Sequence, residues 1–416
     1  MSSSYRDAVE RRPAIWATAG LLVVALGAGP VDAAETYIQP QVELRIEDNS
    51  NFGLEPGGSP DGNVAGVIAD MQALIGVATP RSETSIRPRL RFQEYPDRDE
   101  LQRVEGFLDL KSSYQWERSQ LDFIGKYSRQ DSYNFDTRSG EFDPLDPNDP
   151  AGSGTGQVQV GETRTMVDLR PKVLFDLTER FNLGVGGQYQ ATRYDAESGP
   201  AAQDDYDYSV AETFLAWAVD PRSVLALGAY VSKFEVTDGS RDTDAYGANV
   251  GYRYQWSDIV GVELLVFYET NDTTEYVPVR QEDSSSGFGG TATAYRKGEV
   301  DEWRVTAGHT FTPTGDGKKM QSDQARLQYD RKLTERVSLR AIGRYEARRD
   351  LSGISGGEDR DYARADISLR WLMSRAWSVD GGYAYIWQDR ESAGGSADNN
   401  KIFISVGYKG LGRQRR

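Results

Sequence analysis

The sequence predicts an all-β chain, closed into a transmembrane antiparallel up-and-down β-barrel of about 18 strands, with about 16 as the nearest alternative. Three observations point there. Apolar residues are spread singly between polar ones, very short turns alternate with longer polar connections, and aromatic residues gather beside the short turns.

The alternation is clearest at 180–192. Phe181, Leu183, Val185, Gly187, Tyr189 and Ala191 share one parity, and Asn182, Gly184, Gly186, Gln188, Gln190 and Thr192 the other. Residues 245–256 repeat it, with Tyr246, Ala248, Val250, Tyr252, Tyr254 and Trp256 against Gly247, Asn249, Gly251, Arg253 and Gln255. Side chains alternate between the two faces of a strand, so each segment has one apolar and one polar face. A soluble sandwich would bury its apolar face and carry more Val, Ile and Leu, and a solenoid would show a sequence repeat, which is absent.

Short turns fall at Thr79-Pro80-Arg81-Ser82, Glu117-Arg118, Thr178-Glu179, Asp220-Pro221, Ser257-Asp258, Thr334-Glu335 and Ser374-Arg375. Beside them lie Trp116, Phe175, Phe181, Trp217, Trp256, Trp371 and Trp377, a candidate periplasmic aromatic girdle. Amphipathic rings at one level are what a membrane interface selects. The longer connections, 47–65, 133–160, 195–205, 273–286, 350–358 and 391–399, are acidic or Gly/Ser-rich. Strand parity adds a constraint, because both ends of such a barrel lie on one side. Parity is satisfied when 287–296 is a strand, Lys297-Gly298-Glu299 a turn, 300–312 the next strand and 313–321 an external loop. The final strand is expected at 400–409, with Ile402, Ile404, Val406 and Tyr408 toward lipid.

Domain organisation follows: 1–33 a signal peptide, 34–410 the barrel and 411–416 a basic tail. Arg6, Arg11 and Arg12 precede the apolar stretch 14–29, which is short for a membrane helix, and Val31-Asp32-Ala33 offers small or apolar residues at a cleavage site. The chain is thus expected in the outer membrane of a Gram-negative envelope, assembled by the barrel-assembly machinery into outer-membrane lipid.

Composition excludes several functions. With no Cys, thiolate catalysis and disulfides are ruled out, and His309 is the sole histidine, so multi-His metal sites are excluded. A formal charge of −16 argues against nucleic acid as a partner. No cofactor is expected. His309 falls on the lipid parity without a Gly-x-Ser-x-Gly elbow, so the chain is not read as an enzyme.

The polar parity defines the lumen. In 83–95, Thr84, Ile86, Pro88, Leu90 and Phe92 face out, which turns Arg87, Arg89 and Arg91 in. The same phasing turns in Arg164, Arg170, Lys172, Arg253, Arg304, Arg326, Arg340, Arg344, Arg348, Arg364 and Arg370. Carboxylates on the lumen parity are Glu105, Asp109, Asp122, Asp168, Glu212, Glu263, Asp330, Glu346, Asp366 and Asp380. Two readings stand open: a path for anions, or arginine–carboxylate pairs that brace neighbouring strands. Phe107, Phe214, Phe267 and Tyr362 share the lumen parity, as sugar-stacking platforms or as packing for an in-folded loop. Asp143, Asp146 and Asp149 form a weak Ca²⁺ candidate in an acidic loop whose spacing departs from the EF-hand.

The hairpins 106–131, 162–194 and 322–349, and the segment GTATAYRKGEVDEWRVTAGHTFTPTGDGKK, resemble the β-barrel porins of exopolysaccharide gene clusters, with alginate-exporter-like architecture. The resemblance rests on hairpin style and turn residues. It implies an outer-membrane channel for polysaccharide secretion, working with periplasmic or inner-membrane polysaccharide export proteins. The alternatives are a general or solute-specific uptake porin, and a structural or adhesion barrel with a filled lumen.

Overall fold

A computed structural model describes residues 34–410 and 412, apart from 58–61, 97, 99–100, 132–161, 196–202, 277–279, 314–317, 351–358 and 391–394. The expected signal peptide, the tail beyond Gly412 and the Asp143, Asp146 and Asp149 loop lie outside the described residues.

The strands run in chain order: β1 (Glu35–Asn49), β2 (Val64–Ala78), β3 (Ser82–Glu94), β4 (Arg103–Gln115), β5 (Ser119–Asp131) and β6 (Thr163–Asp176). Next come β7 (Phe181–Asp195), β8 (Tyr206–Asp220), β9 (Ser223–Val236), β10 (Arg241–Ser257), β11 (Val260–Glu275) and β12 (Gln281–Lys297). The last six are β13 (Asp301–Pro313), β14 (Lys319–Lys332), β15 (Val337–Asp350), β16 (Arg360–Leu372), β17 (Trp377–Arg390) and β18 (Gly395–Lys409). Each pairs antiparallel with its sequence neighbours, and β1 pairs with β18, closing an 18-stranded barrel. Closure by the β1–β18 pairing is the condition for a sheet to cross a bilayer. Among the described residues no helix is long and apolar enough to cross a membrane.

Turns at one end are short, and every expected short turn falls there, including the one after β12. Both ends of the barrel chain meet at that end, where the Gly410 amide donates to the Pro40 carbonyl at 2.7 Å. The exterior is apolar. Ile38, Val42, Leu44 and Ile46 of β1 are exposed while Gln41, Glu43 and Arg45 point inward. The seven expected girdle residues are all exposed beside the short turns, Trp256 most of all at 69 %.

Three connections are shorter than the polar composition suggests. The stretch 273–286 is mostly strand: β11 continues to Glu275 and β12 begins at Gln281. Residues 395–399 open β18, which therefore starts before residue 400, and 47–49 and 64–65 belong to β1 and β2. These ends extend past the length a bilayer needs, so nothing apolar marks them as strand.

The wall is not uniform. The ladder between β12 and β13 runs only from Gly290 opposite His309 to Lys297 opposite Glu302. Above it, among the described residues, the outer half of β12 is paired in the sheet with β11 alone.

Candidate functional site: the barrel lumen

The structure places all fourteen sequence-predicted basic lumen residues on the inward register. They do not behave alike. On β3, and at Arg170 of β6, they are held by neighbouring carboxylates. Arg87 donates to Asp109 at 2.5 and 2.8 Å, and Arg89 to Asp70 at 2.5 and 2.9 Å. Arg91 lies between Asp70 (3.2 Å) and Glu105 (3.3 Å). Arg170 pairs with Asp168 at 2.5 Å. This sector is braced and close to neutral, the second of the two readings the sequence left open.

The sector β14–β16 differs. Arg344 of β15 stands directly opposite Arg326 of β14 and Arg364 of β16. Two repeats of the pleat further out, Arg348 stands opposite Arg360, which itself faces Arg390 of β17. Two tiers of three guanidinium groups thus cross the wall, roughly 13 Å apart along β15 at the usual strand rise. Glu346, between the tiers, accepts from Arg344 and, at 2.7 Å, from Arg348. Asp366 accepts from Arg364 at 2.6 and 2.7 Å. Toward the short-turn end Arg340 pairs with Asp330 at 2.7 Å and Arg370 with Asp380 at 2.6 Å. Directly opposed like charges are destabilising. Among the described residues of these strands arginines outnumber carboxylates, which gives the sector its positive character.

Elsewhere the bases are spread out. Arg304 lies over the Tyr295 ring at 5.3 Å and Lys172 over Phe214 at 4.8 Å. Arg253 is exposed in the lumen, opposite Glu263. Arg164 is buried, with one guanidinium nitrogen 3.3 Å from the Tyr206 hydroxyl.

The loop end is narrowed. Phe52 and Leu54, from the connection after β1, fold inward onto Val64, Tyr95, Leu101, Tyr362, Ile386 and Ala397. Leu54 has a φ of 52°, in the left-handed region that side chains other than Gly rarely adopt. It is fixed there by the Gln388 amide, which donates to the Leu54 carbonyl at 3.0 Å. The Asn51 amide group donates to Asp398 and Glu55 carbonyls, both at 3.0 Å. Tyr362 therefore packs an in-folded loop. A second buried cluster, Tyr194, Tyr206, Phe234 and Val236, lines β7–β9 at the same level.

Sequence reasoning missed Arg45, Arg103, Lys111, Lys126, Arg241, Lys319, Arg360, Arg390 and Lys401, which also face inward or are buried against lumen groups. Several lie near strand ends, where no apolar neighbour marks the phase. Counting by two from a phased residue finds all but Lys319, which falls on the outward parity of β14: Ile402 outward puts Lys401 inward. Lys401 pairs with Glu47 at 2.9 Å and Lys319 with Glu269 at 2.5 Å. Among the described residues no group of His, Asp and Glu is arranged to hold a metal. His309 is on the outer face, its Nδ1 2.5 Å from Asp323 Oδ1, away from any lumen chemistry.

No family model matches the chain, and no curated protein does. The resemblance to exopolysaccharide-cluster barrels therefore gains no support from these comparisons. Solved structures similar to the chain include Pseudomonas aeruginosa OpdL, at 12 % identity and a TM-score of 0.42, covering 91 % of this chain and 99 % of that one. Acinetobacter baumannii OccAB4 has 8 % identity and a TM-score of 0.46, covering 91 % and 98 %. Pseudomonas aeruginosa OccK2 (OpdF), solved in complex with glucuronate, has 11 % identity and a TM-score of 0.44, covering 91 % and 98 %. Likeness this slight adds nothing to the barrel architecture already described.

Proposed function

We propose that the protein is a passive diffusion channel of the outer membrane that admits small anionic solutes. The observation that carries this reading is the double tier of directly opposed arginines on β14–β17. A wall that keeps like charges in register at a cost to its own stability draws counter-ions into the pore. Attraction spread over two tiers lets an anion enter and leave, the balance that conduction requires. The apolar exterior and the girdle at the short-turn end support the membrane location. No nucleotide-binding motif is present in the sequence to drive transport, so solutes move down their gradients.

Polymer secretion, which the sequence resemblance implies, is the second reading, and periplasmic or inner-membrane export partners belong to it. The in-folded Phe52–Leu54 segment favours the first, because it takes up part of the mouth that an extended chain would thread. Single-channel recording in a planar bilayer tests both. Under a KCl gradient the reversal potential should report chloride as the more permeant ion, and a small carboxylate should add current noise. A cation-selective pore would overturn the proposal.

A further inference from the structure

Opposite in character to the arginine tiers is the lumen wall of β6–β12. Two adjacent hydrogen-bonding rows cross it. The first reads Gly184, Phe214, Gly228, Asn249, Phe267, Gly289 from β7 to β12. The second reads Lys172, Gly186, Glu212, Tyr230, Gly247, Glu269, from β6 to β11. In both, large residues are interleaved with glycine. The rings of Phe214, Tyr230 and Phe267 reach over Gly184, Gly247 and Gly289 into the space a side chain would fill there, and Asn249 does the same over Gly228. Each ring thus leans on bare backbone, with its other side toward the lumen, and all three remain partly exposed. Tyr230 and Phe267 meet edge to face, with centroids 6.4 Å apart and planes at 75°, so they form a corner rather than a flat sheet.

Around this floor stand hydrogen-bonding groups. Tyr230 donates its hydroxyl to Glu269 at 2.8 Å, which Lys319 also engages at 2.5 Å. Glu212 lies beside Tyr230, and Asn249 lies in register with Phe267. Ionised carboxylates accept only, and an amide both accepts and donates. An aromatic floor with such a rim fits a ligand with an apolar face and a circumference of hydroxyls. The single cation in the second row before Glu212 is Lys172, 4.8 Å from the Phe214 ring.

We propose that the corner of Tyr230 and Phe267 forms a stacking subsite for one pyranose ring, with Asn249 binding its hydroxyls, and that Phe214 on the neighbouring stretch of wall stacks a second ring, with Glu212 binding its hydroxyls and Lys172 its carboxylate. The cargo is then a sugar acid. The ring-stacking part stands on this wall alone; the acid part also rests on the anion-channel reading.

The test is current blockade of the full-length channel by three probes: a neutral glucose trisaccharide, glucuronate and succinate. Wild type should be blocked by the first two, with succinate competing poorly against the trisaccharide. Tyr230→Leu with Phe267→Leu should weaken trisaccharide block by about tenfold, on the order expected for lost aromatic contacts, and leave the reversal potential unchanged. Lys172→Gln should weaken glucuronate and spare the trisaccharide. If the double variant fails to give a heat-modifiable folded band, Asn249→Ala supplies the comparison. Absence of trisaccharide block in wild type, or equal block in wild type and variants, overturns the subsite. A cation-selective wild type whose sugar block is lost in the variants overturns the anion reading and leaves the stacking subsite standing.

Discussion

Arg344 of β15 and Arg364 of β16 face each other across the lumen wall in direct register, each tied to a carboxylate two residues along its own strand. Neutralising both with Gln should move the reversal potential toward cation selectivity and lower the anion-to-cation permeability ratio several-fold. The folded barrel should lose stability, because Asp366 is left without the Arg364 guanidinium, while Glu346 keeps Arg348 and the relieved repulsion between the two arginines offsets part of the loss. Reversal potentials and urea titration on one preparation check both halves.

Glu47 and Lys401 are joined at the β1–β18 closure at 2.9 Å, with side chains 1 % and 6 % exposed. Lys401→Met should destabilise the barrel by about 3–5 kcal/mol, because the carboxylate is left buried without its ammonium. Adding Glu47→Leu should recover much of that loss. Urea midpoints followed by gel mobility decide it; equal midpoints for Lys401→Met and wild type would show that the pair is not structural.

The inward Phe52–Leu54 segment should set the width of the mouth. Phe52→Ala removes a buried ring that packs edge-on against Tyr95 at 5.2 Å. Single-channel conductance should rise and fluctuate more, while ion selectivity, set deeper in the wall, holds. Unchanged conductance would mean that the loop is not the narrow point.

Asp204, in the connection before β8 and outside the membrane, has its carboxyl raised above the usual range. Burial is the larger cause and the charge of Asp238 the next, with Arg241 opposing. A raised carboxyl binds its proton more tightly in the folded chain. Local stability is therefore lowest above the folded pKa and grows as pH falls through it toward the unfolded value of 3.8. Asp204→Asn should slow amide exchange at 205–207 at neutral pH, and the difference should close on acidification.

The girdle tryptophans Trp116, Trp217, Trp256, Trp371 and Trp377 are exposed beside the short turns. In liposomes, lipids brominated close to the headgroup should quench them more than lipids brominated at the chain ends. The reverse order would place that end of the barrel at the wrong depth.

Much of this was legible in the sequence, for a physical reason. Where a strand crosses lipid, its outward side chains must be apolar and its inward ones need not be, so Arg87, Arg89 and Arg91 were phased by Ile86, Pro88, Leu90 and Phe92. Beyond the bilayer the constraint lapses. Gln281 to Ser286 is strand, yet nothing in QEDSSS alternates, and it reads as loop. Parity shows that Arg326, Arg344 and Arg364 point inward, but not that they stand at one height. Height depends on cross-strand register, which turn geometry fixes. The same holds for the interleaving of Phe214, Tyr230 and Phe267 with glycine, which appears only when six strands are aligned.

The short ladder between β12 and β13 gives the cylinder a grain. A hoop fails at its weakest joint, and here, among the described residues, the outer part of one stave is fastened on one side only, with Phe288 beside it 71 % exposed. Heat or lateral pressure from the bilayer would unzip the wall from that notch downward. Stitching it, rather than strengthening the lumen, is the direct route to a tougher barrel.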